Sequence, residues 1–199
     1  MPSTLENPFT PKSALPLKRL FGGGERIMKR KLGKEGQARI KEVKEKFVQY
    51  GKNKILKSQA EFLYAIEKQM LEIWEKRFGK EAKEAVVERM AEKKIEVDKS
   101  GNIKEIDITF LELKNLPSLD ELTNLQVLIC SHNELVSLPS LDKLTNLQLL
   151  DCSYNHLTSL PSLDKLMDLK MLYCYSNKLS GKEKAKISDQ VPKNCKLIM

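Results

Sequence analysis

The sequence has little of what catalysis, metal binding or membrane insertion needs. Its 199 residues include two histidines, His132 and His156, and four cysteines, Cys130, Cys152, Cys174 and Cys195. There is no phosphate loop, dinucleotide fingerprint or His-Glu-x-x-His run. Cys-x-x-Cys spacing, the usual opening of a structural zinc site, is also missing. Three of the cysteines sit in apolar, strand-like segments, so they are expected to be buried hydrophobes rather than nucleophiles. No apolar run approaches the roughly 18 residues of a membrane span. The first 31 residues hold no apolar stretch of secretory-signal length. These absences predict a non-catalytic, cytoplasmic chain with reduced thiols. They predict no metal, no cofactor and no small-molecule substrate.

Negative charge is scarce in the first third. Residues 1–57 hold 15 Lys/Arg and 5 Asp/Glu, a balance of +10, whereas the other 20 Lys/Arg and 22 Asp/Glu give −2. Residues 1–33 carry Pro2, Pro8, Pro11, Pro16 and a Gly22–Gly24 run. Too few apolar residues recur there to offset the cost of ordering, which predicts a flexible basic arm. Two readings of the arm stand side by side. It is a solvated tail, or it meets nucleic acid or a ribonucleoprotein, with Lys29, Arg30, Lys31, Lys34 and Arg39 as candidate phosphate contacts. Clustered Arg with interleaved aromatics, which would favour the second, is absent.

Residues 34–97 contain no proline and are rich in Glu, Lys and Ala. Ile40, Val43, Phe47 and Tyr50 recur at three-to-four spacing, which predicts a helix face that Gly51 ends. Ser58 and Glu61 form a capping-box pattern. The helix it opens carries Phe62, Leu63, Ile66, Met70, Leu71, Ile73 and Trp74 as an apolar stripe and ends at Phe78-Gly79. A third helix over about 80–94 turns Ala85, Val86 and Met90 inward. Such helices close a small bundle or lie over the first repeat of the C-terminal half. Asp98–Asn102 is a turn cluster between two strand-like runs, 95–97 and 103–108. The predicted organisation is an arm (1–33), a helical domain or cap (34–97) and a third region (98–199).

That third region repeats itself. IKEIDITFLEL (103–113), LQVLICSHNEL (125–135), LQLLDCSYNHL (147–157) and LKMLYCYSNKL (169–179) stand 22 residues apart, with Leu-Pro-Ser-Leu-Asp between them at 116–120, 138–142 and 160–164. A fixed short period marks a solenoid. Each coil gives one short strand, and because one coil cannot bury its own face, neighbours are required. Repeat one departs from the others, with Leu111 where they have Asn133, Asn155 and Asn177. After the last repeat, 181–191 reads as a helix and 192–198 as a closing strand. The fold class is therefore α+β: an α-helical segment followed by a short solenoid with a parallel β-sheet.

The pattern Leu125, Leu128, Cys130, Asn133, Leu135, with its copies at 147–157 and 169–179, resembles the leucine-rich-repeat family. The class it resembles is the 22-residue one of bacterial and phosphatase-regulator-like proteins, and the resemblance covers about 95 residues. It implies buried asparagine amides bonded to the backbone of adjacent loops, and a binding surface on the concave sheet face. Side chains between the core leucines alternate outward. Glu105, Val127, Leu149 and Met171 occupy the third place of each repeat, and Asp107, Ile129, Asp151 and Tyr173 the fifth. Thr109, Ser131, Ser153 and Tyr175 stand at the seventh place, and Phe110, His132, Tyr154 and Ser176 at the eighth. The surface is more apolar than solvation requires, and it is not basic. The candidate partner-binding residues are Val127, Ile129, Leu149, Tyr154, Met171, Tyr173 and Tyr175, on a protein-interaction module or adaptor. Good strand formers, or cover from the N-terminal helices, would also account for them.

Overall fold

The 22-residue period becomes the register of a parallel sheet in the computed structural model, which describes residues 47–50 and 53–199. Strands β4 (Ile103–Asp107), β5 (Val127–Ile129), β6 (Leu149–Asp151) and β7 (Met171–Tyr173) place Ile106, Leu128, Leu150 and Leu172 side by side. After helix α3 (Gly181–Gln190), β8 (Lys196–Ile198) adds a parallel strand beside β7. At the other edge, β3 (Ile95–Val97) pairs antiparallel with β4, with a register shift between Glu96 and Val97. The Asp98–Asn102 turn joins them: the Asp98 carboxylate accepts from Ser100 N, Asn102 N and Asn102 Nδ2, and Gly101 takes a left-handed φ of 81°.

The core is a stack. Ile103, Ile106 and Ile108 in the first coil lie over Leu125, Leu128 and Cys130, then Leu147, Leu150 and Cys152, then Leu169, Leu172 and Cys174, all buried. The return arms make single turns instead of α-helices. In each arm the leucines bond back three residues, as Leu122 N to Leu119 O and Leu125 N to Leu122 O, both 2.9 Å. The asparagine column is made as the family pattern implies. Asn155 Oδ1 accepts from Leu135 N at 3.0 Å, while its Nδ2 donates to the carbonyls of Cys130, Cys152 and Ser153 at 3.1 Å. Asn133 serves Leu111 N and Leu113 N in the same way, and Asn177 serves Leu157 N. Each amide meets the hydrogen-bonding need of buried loop backbone that no strand can reach.

Two expectations before the repeats are corrected. Phe47–Tyr50 is strand β1, paired antiparallel with β2 (Asn53–Leu56), and does not continue a helix from Ile40. Phe, Val and Tyr are good strand formers, and a partner lies just two residues away, so pairing outweighs the three-residue spacing. Residues 1–46, including Ile40 and Val43, lie outside the described residues. Helix α1 (Lys57–Phe78) starts at Leu56 without a side-chain cap, so the Ser58–Glu61 capping box is not formed. Strand β2 runs directly into the helix, which leaves Ser58 inside its first turn. The helix does end at Gly79, whose φ is 58° and whose N–H bonds to Glu75 O. A 3₁₀ turn (Gly79–Glu81) and helix α2 (Ala82–Ala91) come next.

The apolar stripe of α1 and α2 does not close on itself. Phe62, Leu63, Ile66, Met70, Val86 and Met90 share one continuous core with Ile103, Leu111 and the repeat leucines. Gln59 accepts from Ile103 N at 2.7 Å and donates to Glu121 O at 2.9 Å. Gln69 likewise accepts from Lys114 N and donates to Asn115 O, each at 2.9 Å. The helices thus lie over the first coil, the second of the two arrangements expected for them.

Candidate functional site

Each repeat strand buries its middle residue and leaves the two beside it half-exposed. The alternation follows from the pleat: Leu128, Leu150 and Leu172 turn into the stack, so their neighbours face the other way. Val127, Leu149 and Met171 therefore form one row across the sheet face, and Ile129, Asp151 and Tyr173 the next. The strands also bring Glu105 and Lys196 to the two ends of the first row and Asp107 and Ile198 to the ends of the second. Tyr173 Oη lies 3.6 Å from Met171 Sδ, which ties the two rows together.

The acidic members of the face are engaged locally. Glu105 pairs with Lys94 at 2.9 Å, and Lys94 also reaches Glu96 at 3.2 Å. The hydrogen bond to Glu105, then that to Glu96, raises the Lys94 pKa above its ordinary value. Asp107 accepts from Thr109 N and Oγ1, and Asp151 from Ser153 N and Oγ. These carboxylates hold the turns after their strands.

Tyr154 and Tyr175 stand off the sheet face, on its edge. Where each strand ends, the eighth residue of the repeat turns left-handed: Phe110, His132, Tyr154 and Ser176 have φ between 50° and 57°. Non-glycine residues reach this region at a cost, and here four successive coils do so at the same place. The turn aligns their side chains along the solenoid axis. Phe110 stacks on His132 with ring centroids 4.3 Å apart, and His132 on Tyr154 at 4.2 Å. Tyr175, from the seventh place, meets Tyr154 edge-on at 5.1 Å. The four rings make a continuous ladder whose step matches the strand spacing of about 4.8 Å. From α2, Arg89 Nη2 reaches Phe110 O at 3.4 Å. Just beyond that helix, Lys93 Nζ donates to Thr109 O, so both cations meet the ladder's first rung.

Sequence reasoning left Phe110 and His132 out of the site. The available signal was a planar ring at the eighth place in three successive coils. Beside the ladder runs the tenth-place row Glu112, Glu134, His156 and Lys178. Its backbone is stacked coil on coil by Glu134 N to Leu113 O, His156 N to Leu135 O and Lys178 N to Leu157 O.

Chemistry is weakly supported elsewhere. The Cys130, Cys152 and Cys174 thiols form the expected buried column. Burial pushes all three pKa values up, that of Cys174 to about 11, so none is a ready thiolate. Among the described residues no group of three His, Cys, Asp or Glu is placed to hold a metal ion, and no helix is long and apolar enough to cross a membrane. Lys29, Arg30, Lys31, Lys34 and Arg39 lie outside the described residues.

Residues 123–155 and 145–183 match the family model described as Leucine Rich repeats (2 copies). A leucine-rich-repeat protein of Leptospira interrogans, of solved structure, is similar at 32% identity and a TM-score of 0.46. The match covers 48% of this chain and 25% of that one, so this chain spans about a quarter of its length. No curated protein is matched.

Proposed function

We propose, from the premise that residues 103–199 belong to the leucine-rich-repeat family, that this protein is a non-catalytic module that holds a protein partner on its sheet face. Repeats of this family commonly mediate contacts between proteins. The observation that carries the reading is the half-exposed apolar double row: Val127, Leu149 and Met171 beside Ile129 and Tyr173. Apolar and aromatic residues there exceed what a solvated strand face needs, and Tyr173 is the kind of residue on which interface energy concentrates. Tyr154 and Tyr175 adjoin this surface at the ladder. We read residues 57–91 as the cap of the solenoid and the protein as an adaptor in the cytoplasm. Replacing Leu149 and Tyr173 together by alanine is expected to abolish co-purification of the partner from the native cell, with the thermal midpoint within a few degrees of wild type. Unchanged recovery of every partner would sink the sheet-face reading.

A second reading draws on one observation, the +10 balance of residues 1–57. In it the arm binds nucleic acid through phosphate contacts from Lys29, Arg30, Lys31, Lys34 and Arg39, and the repeats are scaffold. Such binding weakens steeply with salt. Equal affinity of the full chain and a variant with these five residues replaced by Gln would rule it out.

A further inference from the structure

The strip at the sheet edge differs from the sheet face in two ways. It is the more exposed: Phe110 is 56%, Val136 54% and Tyr154 44% accessible, three of the most exposed large hydrophobic side chains among the described residues. It is also graded in charge. The row beside the ladder runs Glu112, Glu134, His156, Lys178, from acidic over the first coils to basic over the last. A row that changes sign along its length is complementary to itself reversed.

We propose that this strip is a self-association surface, on which a second copy of the chain docks antiparallel about a two-fold axis crossing the strip between the second and third coils. An isologous contact of this kind sets each row against its own reverse. Lys178 then faces the partner copy's Glu112, and Glu134 faces its His156, while the ring edges of the two ladders and the exposed Val136 become the apolar centre. The parallel arrangement would set Glu112 against Glu112 and Lys178 against Lys178, and like charges face to face are disfavoured. The charges therefore select the antiparallel register, and the rings supply the area. Four coils at about 4.8 Å give a strip under about 20 Å long. That is a small interface, and small interfaces give dimers that dissociate on dilution. The strip needs no other partner and leaves Val127, Leu149 and Met171 uncovered, so self-association does not depend on the sheet-face reading.

The test is sedimentation equilibrium of the full chain in three charge forms. Wild type is expected to dimerise with a concentration-dependent mass. Lys178→Glu and Glu112→Lys each place two like-charge pairs in the dimer and are expected to weaken it at least about tenfold. Mixed one to one, these two variants restore opposite charges at both pairs, and the heterodimer is expected to recover wild-type affinity. Tyr154→Ser, at an exposed position, is expected to weaken dimerisation without moving the thermal midpoint. A wild-type chain that stays monomeric to about 100 µM, where even small interfaces associate, overturns the proposal. So does dimerisation that none of the charge variants alters, or single variants that do not rescue each other when mixed. Partner recovery by the Leu149/Tyr173 variant is read separately, so either proposal can fail alone.

Discussion

The two ends of the solenoid are closed by different means. At the first coil, α1 and α2 bring Phe62, Leu63, Ile66, Met70, Val86 and Met90 into the repeat core. Two glutamine amides, Gln59 and Gln69, bond backbone that lacks a preceding coil to pair with. At the last coil, α3 buries one residue, Ile187, and leaves its lysines in solvent. Below it β8 contributes the half-buried Leu197 and Ile198. In a stack where each coil contacts only its neighbours, stability is set by interfaces. The thick cap therefore belongs to the cooperative core, while the thin one can open without dissolving the rest.

The contrast between the two ends is tested most strongly at Ile66. Full burial at the junction of cap and first coil predicts that Ile66→Ala costs about 4 kcal/mol, the upper part of the range for large-to-small core changes. A single denaturation transition shifted to lower denaturant is the expected result, with hydrogen exchange quickened in β4 and β5 as well as in α1. Exchange quickened only within residues 57–91 would show that the cap and the repeats are separate units.

Gln59 sharpens the same point with less force. Its amide accepts from the buried Ile103 N and donates to Glu121 O, and removing it leaves two backbone groups short of a partner. Gln59→Ala is expected to cost about 2 kcal/mol, near the middle of the range for an orphaned buried group. Gln59→Glu keeps the acceptor for Ile103 N and loses the donor, so it should fall between. A chemical-denaturation midpoint for Gln59→Ala equal to that of wild type would mean water replaces the amide at no cost.

The repeats were legible in the sequence because their physics is local and periodic. Leu128, Leu150 and Leu172 recur at 22 residues, and the same spacing becomes the strand register. The asparagine column was legible for the same reason. What escaped depends on pairing that no window of sequence contains. Phe47 and Tyr50 satisfy a helical spacing and a strand composition equally, and the choice is made by Asn53–Leu56 across the hairpin. Ser58 sits at a capping spacing, but the strand feeding α1 leaves no room for a cap there. The ladder was hidden more deeply. Phe110, His132 and Tyr154 were visible as eighth-place residues, but their stacking follows from left-handed backbone at each, which their side chains do not announce.

The smallest effect belongs at the thin end. Ser180 caps α3 by accepting from Glu183 N, and Glu183 in turn accepts from Leu160 N and pairs with Lys186. Loss of an N-cap hydroxyl costs about 1 kcal/mol of helix stability. If α3 is a lid resting on Ile187, Ser180→Ala should appear as faster hydrogen exchange in residues 181–198. The global denaturation midpoint should hardly move, because local opening already precedes unfolding of the core. A midpoint lowered by the full capping energy, with exchange quickened evenly from β4 to β8, would make the two closures equivalent in spite of their unequal burial. The burial argues the other way. One isoleucine cannot couple ten helical residues to the stack as firmly as the stripe of α1 does, so the C-terminal closure should be the first part of the solenoid to open.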